Sequence, residues 1–520
     1  MAIDDGEAVE GGPVGRPAAP REAWRTHGFT GVAADLVGAG TLPRAWAARW
    51  ASAPDAPVLA GPEGRWVTAA ELDECTAVVA ARYAAAGLAP GDRVLLSADA
   101  SVDLAVAHVA ALRLGLVVVP VNTGFAAEEV GNVAAAARPA LAVLDDPSRL
   151  PGVPSTGPDV TLPDGPVPAL DAAAPGDTGL LVFTSGTTGA PKGVPLSHGN
   201  MLASSAAIEV AWRWTADDRL LLALPLFHVH GLGVGLHGTL LAGASAVILP
   251  RFDVDAVLDA VAATGASLMF GVPTMWVRFA ASPRVAELAA LRLCVSGSAP
   301  LDPATFAALA DGIGSPVLER YGMTETGMLV SNPYDGERRS GSVGLALPGV
   351  EVRLDPREGG GEPAGEILVR GPNVFAGYLD ESPTGDDAPA GAAAVGPDGW
   401  FRTGDLGRAD PDGYLRIVGR SKELIITGGY NVYPRDVEEV LGRHPAVAEV
   451  AVVGRPDREW GERVVACVVA AGSGVPRDAD AILAWAAGHL APYQRPRELR
   501  FVDELPRNAL GKVVRARLAP

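Results

Sequence analysis

Short apolar runs alternate with amphipathic stretches over the first two thirds of the chain. Asp92–Ser97, Leu116–Val121 and Ala140–Leu144 read as strands. Between them Ser101–Leu114, capped by Ser101, and the stretch near Ala126–Ala137 carry helical periodicity. The same alternation continues through Gly179–Phe183, Leu220–Leu224, Ala246–Leu249, Ser267–Val272 and Leu291–Ser296. Runs that are apolar on both faces, with helices between them, predict parallel strands covered on both sides, hence a layered α/β fold. Beyond about Gly341 the strands shorten and Gly and Pro become frequent, as in Val350–Leu354 and Gly365–Val369, which predicts a β-subdomain. Ser382–Gly396 is an Ala/Gly/Asp/Pro loop.

Gly419-Arg-Ser-Lys-Glu423 marks the entry to a smaller C-terminal α+β domain. That domain is expected to hold helices near Arg435–Arg443 and Ala479–His489, and strands near Val447–Val453, Arg463–Val469 and Leu499–Val502. The expected division is a flexible arm at 1–41, a large N-terminal domain of layered α/β subdomains plus the β-subdomain at 42–419, and the small domain at 420–520.

Composition narrows the functions. The chain has 520 residues, 48% of them hydrophobic, and a formal charge of −19. That balance argues against nucleic acid as a partner, so an anionic substrate must be met by a local basic pocket. Cys75, Cys294 and Cys467 are isolated, which suits a reducing, cytoplasmic compartment, and no secretory leader is expected. Leu220–Pro250 lacks Lys, Arg, Asp and Glu, but Pro225, His228, His230, His237 and several glycines break it up. It reads as buried core rather than a membrane span. His228 and His230 lack a third ligand at suitable spacing, so no metal is expected there.

Chemistry concentrates in a few strings. Thr184-Ser-Gly-Thr-Thr-Gly-Ala-Pro-Lys192-Gly193 follows an apolar strand. Gly186 and Gly189 permit the close backbone approach that phosphate wrapping needs. Thr184, Ser185, Thr187 and Thr188 add hydroxyl donors, and Lys192 adds a mobile charge. The string is not a Walker A loop, because Ala190-Pro191 separates Gly189 from Lys192. In Arg320-Tyr-Gly-Met-Thr-Glu325, Tyr321 offers a flat ring for an aromatic base, Gly322 a close backbone approach, Thr324 a phosphate donor and Glu325 a Mg²⁺ ligand. Asp405, in Trp400-Phe-Arg-Thr-Gly-Asp405, suits ribose hydroxyls.

Together these strings resemble the adenylate-forming superfamily: acyl-CoA synthetases, luciferases and peptide-synthetase adenylation domains. The resemblance runs from about Leu42 to Leu518 with the motifs in family order. It implies ATP, Mg²⁺ and coenzyme A as participants. It places Ser298, Ala299, Pro300, Arg320, Tyr321, Gly322 and Met323 in the nucleotide site with the phosphate-loop residues. Arg420 joins Asp405 at the ribose, Lys422 is the hinge about which the small domain moves, and Gly428, Gly429 and Tyr430 border the pantetheine path. Lys512, in Pro506-Arg-Asn-Ala-Leu-Gly-Lys512, is the lysine expected to bridge carboxylate and α-phosphate, with Thr324 and Glu325 as the other catalytic residues. No carrier domain follows Lys512, so free CoA is the expected acceptor, with an acyl carrier protein as the alternative partner.

For the acid, Leu224–Gly231 and Gly271–Arg278 would line the pocket, with His228 and Arg278 as substrate contacts. Arg278 lies four residues after Thr274 on an expected helix and is read as pointing inward, where a guanidinium suits a second carboxylate. The strings Gly-Val-Pro-Thr-Met-x-x-Arg and Leu-Phe-His-Val-His-Gly-Leu look most like malonyl-CoA synthetases. Asn431–Glu438 instead resembles fatty and aromatic acyl-CoA ligases. Those acids, another acceptor, or a small oxyanion such as nitrite are the alternatives.

Overall fold

The structure, a computed structural model, describes residues 36–184, 192–356, 364–379, 394–472, 475–507 and 513–518. Two largely parallel sheets form the large domain. One has six strands and includes Arg93–Ser97, Val117–Pro120, Leu141–Leu144 and Thr178–Thr184, whose antiparallel partner Lys192–Ser197 closes its edge. The other has nine strands, in which Arg219–Leu222, Leu268–Gly271, Leu293–Ser296 and Leu318–Met323 lie side by side and parallel. A four-stranded antiparallel sheet carries Glu351–Pro356, Gly365–Arg370, Phe401–Ala409 and Leu415–Arg420. The layered α/β expectation holds.

Helix starts follow from the residues. Thr68 and Ser197 form capping boxes with Glu71 and Asn200, while Ser101, Asp253 and Asp302 each accept an N–H from the first turn of their helix. The helix Val102–Leu114 is buried from Leu104 to Leu114 without interruption. A helix apolar all round must be enclosed, and residues of both large sheets share one core cluster with it.

The stretch Leu220–Pro250 resolves into a strand, a π-helical segment His230–His237, a short helix and another strand. Among the described residues no helix is long and apolar enough to cross a membrane. The C-terminal domain has its own core around Ile425, Val437, Val464, Val468 and Ile482. It meets the large domain through the helix Pro434–Leu441. Arg435 donates to the Ile417 carbonyl at 2.7 Å, Arg408 pairs with Asp436 at 2.9 Å, and Arg416 with Glu439 at 3.2 Å. The arm expected at 1–41 is described only from Leu36, and most of the loop Ser382–Gly396 lies outside the described residues.

Candidate active site

Ligand sites in parallel sheets gather beyond the C-terminal strand ends. Here Thr184, Gly271, Ser296 and Met323 end their strands, and the candidate residues follow them. The phosphate loop joins two antiparallel strands in which Thr184 pairs with Lys192. Ser185, Gly186, Thr187, Thr188 and Gly189 lie outside the described residues, as does Lys512. Lys192 is exposed, and its ammonium stands 5.2 Å from the centre of the Tyr378 ring. The Tyr378 hydroxyl donates to Glu325 at 2.8 Å. Burial raises the Glu325 pKa, while the Tyr378 hydrogen bond and the Arg420 charge work against that rise. With one oxygen on Tyr378, this buried carboxylate keeps lone pairs that fit Mg²⁺.

A second polar chain centres on Asp405. Its Oδ2 accepts from the Tyr321 hydroxyl at 2.6 Å, and its Oδ1 stands 3.1 Å from Arg420 Nε. Asp405 is 6% exposed, so both contacts act in a poorly solvated place. Lys422, exposed in the short helix Ser421–Glu423, has its pKa lowered by burial of the ammonium and then by Arg420, with Lys192 adding to the effect. Three cations from separate elements thus converge beside two buried carboxylates. This is the local basic pocket that the acidic composition demands.

Gly322 has a different reason from the expected one. A Cβ there would stand 2.3 Å from the Gly327 carbonyl oxygen, so its bareness serves the strand pairing. Thr324 and Met323 are half-buried at the strand end. Ser298 adopts φ +72, a strained value for a non-glycine residue, and its hydroxyl lies 3.3 Å from His230 Nδ1. Ala299 is half-buried, and Pro300 is exposed with Ser298. Behind them Glu319 accepts from the backbone of Leu301 and of Gly341, each at 3.2 Å, which ties this segment to the sheet.

Arg320 departs from its expected company. Side chains alternate along a strand, so while Tyr321 reaches Asp405, Arg320 lies on the other face, against Gly297. Arg278 also departs. The helix Pro273–Ala280 buries Met275, Trp276 and Phe279, and Arg278 is on its exposed face with Thr274 and Val277. Three large apolar side chains fix which face turns inward, and the i, i+4 spacing of Thr274 and Arg278 puts both on the opposite one. His228 is half-buried and its Nε2 is enclosed; burial lowers its pKa to about 4, leaving a neutral ring. Gly428 and Gly429 form the left-handed turn before Tyr430, which is exposed and stacks on Tyr493 with ring centres 4.8 Å apart. Among the described residues no cluster of three metal-ligating side chains occurs. Sequence reasoning passes over Tyr378 and Glu319, with only the aromatic ring after Gly377 hinting at the first, and it weighs His230 as a metal ligand alone.

The family model for AMP-binding enzymes matches residues 46–379, and that for their C-terminal domain matches 436–512. The chain belongs to the AMP-binding enzyme family, within the adenylate-forming superfamily. ATP-bound MatB from Rhodopseudomonas palustris is 38% identical, with TM-score 0.84, covering 92% of this chain and 98% of that one. A malonyl-CoA ligase holding methylmalonyl-CoA and AMP is 41% identical, with TM-score 0.63, over 87% of this chain and 97% of that one. The indoleacetate–CoA ligase of Aromatoleum aromaticum is 43% identical over 344 residues, which span 64% of this chain and 65% of that enzyme. By class the protein is an AMP-forming acid–thiol ligase.

Proposed function

We propose that this enzyme activates a short dicarboxylic acid, malonate or methylmalonate, and passes the acyl group to coenzyme A in a reducing, cytoplasmic compartment. The acid's carboxylate, already ionised at neutral pH, attacks the α-phosphorus of ATP and expels pyrophosphate. Thr324 would donate to the phosphates and Glu325 would hold Mg²⁺, which would supply charge neutralisation at the phosphates. Lys512 bridges the two anions in this reading, and it lies outside the described residues. The small domain then turns near Lys422, and the CoA thiol attacks the acyl-adenylate to release AMP.

The observation that carries the acid is Arg278. It sits on the helix that follows the strand end at Gly271, and among the described residues it has no hydrogen-bond or ion-pair partner. On the exposed face of that helix, this free guanidinium is available to a second carboxylate. The likeness to the malonyl-CoA ligase agrees. The identity to the indoleacetate ligase favours an aromatic acid as the second reading.

A thioester assay with malonate, methylmalonate, octanoate and benzoate on wild type and Arg278→Ala tests the proposal. Malonate preference lost in the variant supports it. Preference for octanoate or benzoate, unchanged in the variant, refutes it. Pyrophosphate exchange without CoA thioester would move the acceptor to a carrier protein, and ATP turnover without any carboxylic acid would point to a small oxyanion.

A further inference from the structure

Lys512, outside the described residues, lies between two described flanks. Arg507 and Val513 pair as an antiparallel bridge, and the Val514 N–H donates to the Pro506 carbonyl at 2.7 Å. Apolar packing pins both flanks. Leu505 and Leu518 share one buried cluster with Val453, Val465 and Cys467, and Val513 packs against it. Arg455 adds a hydrogen bond to the Leu518 carbonyl at 3.2 Å. These contacts hold the end of the chain on the small domain without any help from Arg515.

Arg515 makes a different set of contacts. Its Nη2 donates to both oxygens of Glu438, at 2.7 and 2.9 Å, and its Nη1 to Glu423 at 3.1 Å. The Arg515 side chain is 22% exposed, and those of Glu438 and Glu423 are 15% and 24% exposed, so solvent screens these pairs only in part. Burial works against the guanidinium charge, but the Glu438 and Glu423 carboxylates outweigh it and raise the pKa. Glu423 ends the short helix Ser421–Glu423, directly after Lys422. Glu438 lies on the helix Pro434–Leu441 and also accepts the Val452 N–H at 2.7 Å. On that helix Arg435, Asp436 and Glu439 grip the large domain at Ile417, Arg408 and Arg416. One helix thus holds the large domain with three side chains and Arg515 with a fourth, and Arg515 stands three positions after Lys512.

We propose that Arg515 is a positioning residue for adenylate formation, tying the segment of Lys512 through Glu438 and Glu423 to the hinge and to the helix that docks on the large domain. A planar guanidinium held by two carboxylates fixes direction as well as distance. A catalytic group displaced by about 1 Å costs on the order of 100-fold in rate. Only the half-reaction that uses Lys512 depends on this tie. The inference rests on the role given to Lys512 above, and not on the identity of the acid.

The test uses the full chain as wild type, Arg515→Met, Arg515→Lys and Lys512→Ala. The acid is whichever of malonate, methylmalonate, octanoate and benzoate the wild type uses fastest. It is supplied free for ATP–pyrophosphate exchange, and as its synthetic acyl-adenylate for thioester formation with CoA. In Arg515→Met the kcat of exchange should fall about 30-fold, with the KM of ATP moving less than about threefold and thioester formation from the adenylate within about twofold of wild type. Arg515→Lys, which keeps the charge but loses the fork, should lower exchange only about fivefold. If Arg515→Met does not fold, Arg515→Lys alone decides, and unchanged exchange in it overturns the inference. Exchange kept within about threefold in Arg515→Met, or an equal loss of both half-reactions, overturns it too, because a merely structural arginine would spoil neither or both. Lys512→Ala that keeps exchange refutes the Lys512 reading and this inference together. Lys512→Ala that loses exchange while Arg515→Met retains it refutes this inference alone.

Discussion

Replacing Glu319 by glutamine should remove that residue's share of the pH dependence of stability, so that the variant and wild type exchange rank between pH 5 and pH 8. This carboxyl is 4% exposed, and burial pushes its pKa from 4.5 up to about 7, against the two backbone donors and the Arg435 charge that lower it. A group raised in the folded state favours folding fully below its unfolded pKa, and that contribution is lost as pH rises through the folded one. The displacement from 4.5 to about 7 is worth about 3 kcal/mol of stability lost between pH 5 and pH 8. Glutamine does not titrate, but its single carbonyl oxygen cannot serve Leu301 and Gly341 as two carboxyl oxygens do, which costs about 1 kcal/mol. Glu319→Gln should therefore be the less stable protein at pH 5 and the more stable one at pH 8. Urea midpoints at several pH values read this directly. Curves that stay parallel to within about 0.5 kcal/mol would refute the reasoning. They would mean that Glu319 remains ionised in the fold, held by Arg435 and Arg416.

Asp405→Asn removes the charge that holds the Tyr321 hydroxyl and Arg420, and AMP affinity measured by calorimetry should drop about 30-fold. The estimate leaves little for the Arg420 pair itself, whose guanidinium is 38% exposed. Tyr378→Phe frees Glu325 of its hydroxyl donor, so the magnesium concentration giving half-maximal pyrophosphate exchange should change severalfold while the melting temperature moves little. Gly428→Ala meets both a φ of +57 and the Trp460 ring 2.8 Å from the new Cβ. Thioester formation should slow at least tenfold while pyrophosphate exchange persists. Equal loss of both would detach this turn from the CoA step.

The core strands and their helices were legible because periodicity and capping residues act locally. Ser101 caps the helix where it was expected, and Ala479–His489 begins and ends on the expected residues. What crosses between elements was not legible. Nothing in the spacing announces that His108 and His237, 129 positions apart, meet at 2.8 Å between the sheets. Nor does it announce that Tyr378 bridges Lys192 and Glu325. The direction of Arg278 was misjudged because three large apolar neighbours, Met275, Trp276 and Phe279, decide which face of so short a helix is buried. Arg320 looked like part of the nucleotide motif because a string hides strand alternation, which sends neighbouring residues to opposite faces.

The meeting of Lys192, Arg420 and Lys422 in a chain of formal charge −19 also shapes how fast a nucleotide arrives. At a distance a polyanion meets a repulsive field, and only inside the cleft does attraction take over. Salt at about 0.1 M screens charges beyond about 10 Å, which removes the outer barrier and leaves the close cationic contacts largely intact. Added salt should therefore quicken capture before it weakens retention, the reverse of a positively charged protein drawing in its anion.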